Sequence, residues 1–70
     1  MISYKPFWET LKRKSITQYQ LMKYAKVSAA TLDKLRKGGN ISIETVERLC
    51  KILKCNLTDI VEVTWDDQTI

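Results

Sequence analysis

Histidine is missing from this 70-residue chain, and glycine, proline and cysteine are scarce, with two, one and two residues respectively. Without histidine, and with only Cys50 and Cys55 as thiols, the usual sets of zinc ligands cannot be assembled. No metal or other cofactor is therefore expected, and the two thiols are expected to pack as free cysteines. The scarcity of glycine, together with long stretches of helical periodicity, disfavours a strand-rich fold.

Long apolar runs and catalytic constellations are missing as well. The apolar stretches are far too short to cross a bilayer, and the N-terminus lacks the basic start and apolar core of a signal peptide. The sequence therefore predicts a cytoplasmic protein with no membrane partner. No Ser or Cys has a plausible general base and no carboxylate pair suits acid–base chemistry, so an enzyme is not expected. The chain length predicts a single domain over residues 1–70.

The positive charge of the chain is concentrated in its first half. Residues 1–40 contain nine Lys or Arg and two acidic residues, a net charge of +7, whereas residues 41–70 carry a net charge of −3. A basic half of this kind is what a phosphate-binding surface requires. A basic surface that faces solvent and binds no partner would give the same net charge.

Helix-start residues divide the chain into five predicted helices. Pro6 suits the first turn of helix 1, which is expected to run to about Lys14. Each of the other four helices follows a residue that commonly caps a helix: Thr17, Ser28, Ser42 and Asn56. The fourth helix has apolar residues spaced as on one buried face. They are Ile43, Val46, Leu49, Cys50 and Leu53.

The two ends of the chain alternate apolar and polar residues, as strands do. Strands of three to five residues are not stable alone, so the two ends are expected to pair. Ile2 and Tyr4 would then bury apolar surface against Val63 and Trp65, and pairing within one chain is favoured over pairing across a dimer axis. The acidic tail at 66–70 is expected to fray.

Two short helices joined by about four residues, over residues 17–37, predict a helix-turn-helix. The second helix, at about 28–37, directs Leu32 and Leu35 inwards. At about 100° per residue, a second stripe of this helix lies opposite those leucines and faces outwards. It contains Ala30, Asp33, Lys34 and Lys37.

Small and cationic side chains suit a helix that enters the major groove of double-stranded DNA. Ala29 or Ala30 can pack on a thymine methyl group, and Thr31 can do the same or form a hydrogen bond. Lys34 can reach O6 and N7 of guanine, whereas Lys37 lies further along and is expected to contact phosphate. Both lysines can also be interpreted as ordinary solvated side chains.

The segment ITQYQLMKYAKVSAATLDKLRKGGNISIETVERLCKILKCNLTDIVEV, residues 16–63, resembles the λ repressor/Cro-like (Xre-family) helix-turn-helix domain. The resemblance covers about residues 7–63. It rests on Thr17-Gln18, Leu21, Val27-Ser28, Leu32, Leu35, Ser42 and the LCKILKC helix. It implies an all-α, five-helix λ repressor-like DNA-binding domain that binds a two-fold operator as a homodimer. A short two-strand pairing of the chain ends would add to that fold.

The same resemblance implies roles for individual residues. Gln18 matches the family's phosphate-contacting glutamine, although any polar residue can occupy a helix start. The base-facing positions of the recognition helix are matched by Ser28, Ala29, Ala30, Thr31 and Lys34. Lys37 and Asn40 match contacts just after them.

Three residues depart from the family pattern. Met22 stands where a small residue is usual, which implies a looser crossing of helices 2 and 3. Lys26 stands where the turn usually has glycine, which implies a positive φ angle at this lysine. Asp33 places an acid on the stripe that faces DNA. It can accept a hydrogen bond from cytosine N4, or only lower the non-specific affinity.

These observations favour a sequence-specific DNA-binding regulator of transcription, expected to act as a repressor. The alternative is a protein-interaction or antitoxin-like adaptor module that keeps the fold without specific DNA binding. An adaptor would more often expose apolar side chains where this helix exposes lysines. No small-molecule ligand is evident from the sequence.

Overall fold

The computed structural model describes residues 1–65, so the predicted fraying of 66–70 lies outside the described residues. Strand β1 (Ile2–Ser3) leads into helices α1 (Lys5–Arg13), α2 (Gln18–Tyr24), α3 (Ala29–Lys37) and α4 (Ile43–Leu53). A 3₁₀ turn (Leu57–Asp59) and strand β2 (Glu62–Val63) follow. The described chain is therefore mostly helical, with four α-helices and a two-stranded sheet.

A fifth α-helix is not confirmed, because the segment after Asn56 makes only one 3₁₀ turn, with Asp59 at its third position as predicted. The Asn56 backbone N–H donates to the Asp59 carboxylate at 3.1 Å and closes that turn. Only two residues, 60 and 61, then remain before β2, whose Val63 pairs with Ile2 of β1. The pairing requires an extended chain, so a helix cannot continue there.

The predicted caps of the other helices are confirmed. Thr17 and Gln20 form a capping box at α2, with the Gln20 N–H donating to the Thr17 hydroxyl at 3.1 Å. At α3 the Ser28 hydroxyl accepts from the Thr31 N–H at 3.1 Å. At α4 the Ser42 hydroxyl accepts from the backbone N–H three residues on, at 3.0 Å. These bonds satisfy N–H groups that have no partner inside the helix.

The core lies where all four helices meet, and its apolar residues come from every helix. The fully buried members include Phe7 of α1 and Ile60 after the 3₁₀ turn. The seam between α2 and α3 is closed by Leu21, Val27, Leu32 and Leu35, all buried. Thr10 is a buried polar residue, and its hydroxyl donates to the Asp59 carbonyl at 2.8 Å. This bond ties α1 to the 3₁₀ turn.

Ile43 does not belong to the buried face of α4, contrary to the sequence prediction, since it is 77% exposed. It is the first residue of the helix, so its side chain lies beyond the end of the core that Val46 and Leu49 help to form. The other predicted residues of that face are buried or half-buried. Ile43 is therefore available for contacts outside the domain.

The two chain ends pair within one chain, as the sequence favoured. β1 and β2 are antiparallel, with Ile2 opposite Val63. The predicted burial of apolar surface is only partly right, because Tyr4 is buried whereas Val63 is 57% and Trp65 75% exposed. Among the described residues 1–65, no second layer covers these side chains of the two-stranded sheet.

None of the helices in residues 1–65 has the length and apolar character needed to cross a lipid bilayer. In the same residues no three His, Cys, Asp or Glu side chains are grouped so as to hold a metal ion.

Candidate nucleic-acid interface

The N-terminal half of α3 presents very small side chains to solvent. Ala29 and Ala30 are both exposed. Ser28 is exposed too, but its hydroxyl caps the helix and also lies 2.9 Å from the Thr31 hydroxyl. The Thr31 hydroxyl is therefore engaged within the cap, and its methyl group is the part of the side chain without a polar partner. Because these side chains are short, another molecule can come close to the backbone of α3.

The C-terminal end of α3 is held by two side chains from the start of the chain. The Trp8 indole N–H donates to the Leu35 carbonyl at 3.2 Å, and the Tyr4 hydroxyl donates to the Gly39 carbonyl at 2.6 Å. Between them, Gly38 takes the left-handed conformation (φ 77°) that ends many helices. These bonds satisfy two carbonyl groups at the end of α3 and fix the position of its axis.

Glycine at position 39 also shapes the path of Lys34. A Cβ atom on Gly39 would lie 3.3 Å from Cγ of Lys34, which is tighter than ordinary contact. The aliphatic stem of Lys34 therefore passes directly over Gly39. Within residues 1–65 the Lys34 ammonium group forms no ion pair.

The turn between α2 and α3 is fixed by Arg48 of α4. Its guanidinium donates to the carbonyls of Ala25 and Lys26, both at 3.1 Å. Lys26 has a φ of 59°, which confirms the positive φ implied at this position. The Val27 N–H donates to the Leu21 carbonyl at 3.0 Å, so the chain turns tightly back into α3. Sequence reasoning missed Arg48, because nothing near it in the sequence indicates this contact.

Gln18 is joined to α3 by Arg36, a residue that sequence reasoning also missed. The Arg36 guanidinium donates to Oε1 of Gln18. It also lies 6.0 Å from the centre of the Trp8 ring, within the range of a cation–π contact. With its oxygen accepting from Arg36, the Gln18 amide keeps its N–H₂ group as a donor.

Asp33 pairs with two of the three cations in the last turn of α3, Arg36 and Lys37. Its carboxylate lies 3.3 Å from the Lys37 ammonium and 3.4 Å from the Arg36 guanidinium. All three side chains are about half-exposed or more. The cation predicted to contact phosphate is therefore already paired with an acid on its own helix.

The predicted site residues are almost all exposed, and most lie together on α3 and its cap. Thr31 is half-buried, and Asn40 lies beyond the Gly38 turn. Gln18 is brought to the helix through Arg36. Their contacts with DNA stay predictions.

A second exposed surface begins where α3 ends. A groove of about 590 Å³ runs between the N-terminus of α4, the 3₁₀ turn and the two-stranded sheet, with Asn40 at one end. We call it the apolar groove, defined by Ile2, Ile41, Ile43, Leu57, Val61 and Val63. Leu57 is 52% exposed, so apolar side chains remain in water here.

Comparisons with known proteins agree with this geometry. The Cro/C1-type HTH DNA-binding domain family matches residues 7–66. The crystal structure of the transcriptional regulator VanUg is similar, with a TM-score of 0.82 and 29% identity over 93% of this chain and 87% of that chain. No curated protein matches significantly. Since the family match covers most of the sequence, the chain belongs to the Cro/C1-type helix-turn-helix DNA-binding domains.

Proposed function

We propose that this protein is a sequence-specific regulator of transcription that reads the major groove of DNA with α3. The observation that carries the proposal is the surface of α3, which has only small side chains at Ala29 and Ala30 and a cation at Lys34. The helix is capped at its start by Ser28 and bonded at its end to Trp8 and Tyr4. A major groove is only just wide enough for a helix, so small side chains allow close approach.

The individual roles follow from position along α3. Ala29, Ala30 and the Thr31 methyl group face thymine methyl groups, since the Thr31 hydroxyl is engaged by the cap. Lys34, which extends over Gly39, reaches O6 and N7 of guanine. Lys37, near the helix end, contacts phosphate.

Two contacts flank the reading helix. Arg36 holds the oxygen of Gln18, which leaves the Gln18 amide N–H₂ to donate to a phosphate. Ser28 at the start of α3 and Asn40 after its end complete the interface. The Gln18 and Asn40 contacts fix the register of the domain on the duplex and carry no sequence information themselves, whereas Ser28 belongs to the base-facing positions.

Selection of bound sequences from a random pool of duplexes tests sequence specificity. We expect a defined consensus, and Lys34→Ala should relax one position of it and weaken binding by roughly 1–3 kcal/mol. Lys37→Ala is the matched control, because it should weaken all sequences alike. Identical consensus sequences for the wild type and Lys34→Ala would contradict the base-reading role.

A salt titration tests the contribution of the basic half of the chain. Each neutralised phosphate contributes about −0.9 to the slope of log K against log salt, so several contacts give a slope of several units. A flat response would contradict DNA binding by this surface.

The regulator is proposed to act as a homodimer. One recognition helix reads too few base pairs to find a site among the many competitors in a genome, and dimers place two helices about 34 Å apart along the duplex. The apolar groove is a suitable dimer interface, because it begins directly after α3. It contains a concave apolar surface and, at its edge, the exposed side chain of Ile43. In two copies related by a two-fold axis, Ile43 of each copy can pack into the groove of the other.

Sedimentation at a series of concentrations tests the dimer. Ile43→Glu should shift the protein towards monomer, since it places a charge in the contact without disturbing the core. Tyr24→Glu is the control, because Tyr24 is exposed on α2, away from the groove. A wild type that stays monomeric on its own operator, or a dimer unaffected by Ile43→Glu, would contradict this interface.

Repression is the simplest outcome for such a protein, because a bound dimer excludes other proteins from the same stretch of DNA. Transcription from a template whose selected site overlaps the promoter should therefore fall when the protein is added. A rise would indicate activation. If no sequence is selected at all, the apolar groove favours the adaptor function instead, with another protein bound there.

A further inference from the structure

Cys50 and Cys55 come together where α4 ends. Lys54 takes the left-handed conformation (φ 54°), and its N–H donates to the Cys50 carbonyl. The Cys55 N–H donates to the same carbonyl at 3.0 Å. In a helix end of this type, the side chains at these two positions regularly contact each other. Here both positions are occupied by cysteine.

The backbone places the two residues within the range of a disulfide. The 3.0 Å hydrogen bond between Cys55 and Cys50, combined with standard bond lengths and angles, keeps the two Cα atoms below about 6.5 Å. Disulfides span Cα distances of about 4.4–6.8 Å. The separation of the two Cα atoms is therefore compatible with a disulfide.

The thiols are free and accessible. Both residues are half-buried, and both line a shallow groove of about 290 Å³ beside Leu57. Burial, with the neighbouring Cys50 and Asp59, raises the pKa of the Cys55 thiol. The raised pKa disfavours the Cys55 thiolate as the first attacking group.

We infer that Cys50 and Cys55 form a dithiol site that small-molecule disulfides oxidise to an intramolecular disulfide. The Cys50 thiolate attacks a disulfide RSSR, forms a mixed disulfide and releases RS⁻, which takes up the proton that the thiol lost. The Cys55 thiol then loses its proton, attacks the Cys50 sulfur and releases a second RSH. Two protein thiols are oxidised, and RSSR is reduced to two RSH. The inference does not depend on DNA binding.

Equilibration of the full chain with reduced and oxidised glutathione tests the site. After acid quenching and alkylation, the protein is digested with trypsin, which cleaves after Lys51 and Lys54. The two cysteines then lie on separate peptides, which stay linked only if a disulfide joins them. In the native protein we expect the joined peptides. The equilibrium constant for disulfide formation should be at least about tenfold larger than in concentrated urea, because the fold holds the thiols together.

Cys50→Ser and Cys55→Ser serve as controls, since each leaves one thiol that can only form a mixed disulfide with glutathione. The comparison of native and unfolded wild type needs no variant, so it stands even if a substitution disturbs folding. Mixed disulfides on the native wild type, or an equilibrium constant no larger than in urea, would overturn the inference. Joined peptides from two different chains would overturn it too.

Discussion

Asp33→Asn is the substitution that most directly tests how α3 balances specific against non-specific binding. In the free protein Asp33 lies 3.3 Å from the Lys37 ammonium and 3.4 Å from the Arg36 guanidinium. Phosphate groups of DNA would compete with this carboxylate for both cations. The carboxylate itself would also be repelled by the phosphates. Both effects oppose binding to every sequence equally.

The size of the effect follows from the exposure of the pairs. Exposed ion pairs contribute about 0.2–1 kcal/mol each, and these side chains are between 46% and 72% exposed. Two pairs, each near the middle of that range, amount to about 1 kcal/mol, or about fivefold in affinity. Asp33→Asn should therefore bind random-sequence duplex about fivefold more tightly at low salt, and the free energy of unfolding should fall by about 1 kcal/mol, because the same two pairs are lost.

Fluorescence anisotropy with a labelled random-sequence duplex measures this change. Glu47→Gln is a matched control, because Glu47 pairs with Lys51 at 3.9 Å on α4 in the same i, i+4 geometry. It changes the net charge by the same amount at a site away from α3. The difference between the two variants therefore reports the position of Asp33 and not the net charge of the protein.

Two results would refute this reasoning. Equal gains for Asp33→Asn and Glu47→Gln would show that only net charge matters. A loss of affinity on the selected site, with one cytosine position of the consensus relaxed, would show that Asp33 accepts a hydrogen bond from cytosine N4.

Three further substitutions test the bonds that hold the helix-turn-helix, each by urea unfolding. Arg48→Ala should lower the free energy of unfolding by roughly 1 kcal/mol, since two turn carbonyls lose a charged donor. Tyr4→Phe should lower it by about 1 kcal/mol, because the Gly39 carbonyl loses its partner. Lys26→Gly should raise it by about 0.5 kcal/mol, since relief of a left-handed conformation exceeds the entropy cost of glycine. An equal gain from Lys26→Ala would contradict the last explanation.

The helix starts were the most predictable part of the fold. Thr17, Ser28 and Ser42 each bond to an N–H group three residues further on, so a few neighbouring residues decide the outcome. The positive φ at Lys26 was likewise predictable, because the resemblance places glycine there. The chemical character of the α3 surface followed from helical spacing alone, since the buried leucines fix which residues face outwards.

The wrong or unconfirmed predictions concern contacts between segments that are distant in sequence. The 3₁₀ turn stays short because β2 must reach β1, more than 50 residues away. Ile43 has the spacing of a buried residue, but within residues 1–65 nothing covers the start of α4. The bond from Arg36 to Gln18 depends on how α2 crosses α3, which no local pattern specifies.

The side chains that donate hydrogen bonds to the ends of α2 and α3 share one property, which explains why the exposed face of α3 can carry such small side chains. Trp8, Tyr4 and Arg48 each donate to a backbone carbonyl at the C-terminal end of α2 or α3, or just beyond it. Such carbonyls lack partners within the helix, so a long donor from another element can bind them without using any side chain of the helix itself. Arg36 is an outward side chain of α3 that contacts Gln18 and Trp8, but Ala29, Ala30 and Lys34 are not needed to hold the helix in place. They can be as small as alanine on one turn and as long as lysine on the next, and substitutions there should change the DNA sequence that is read while leaving the fold intact.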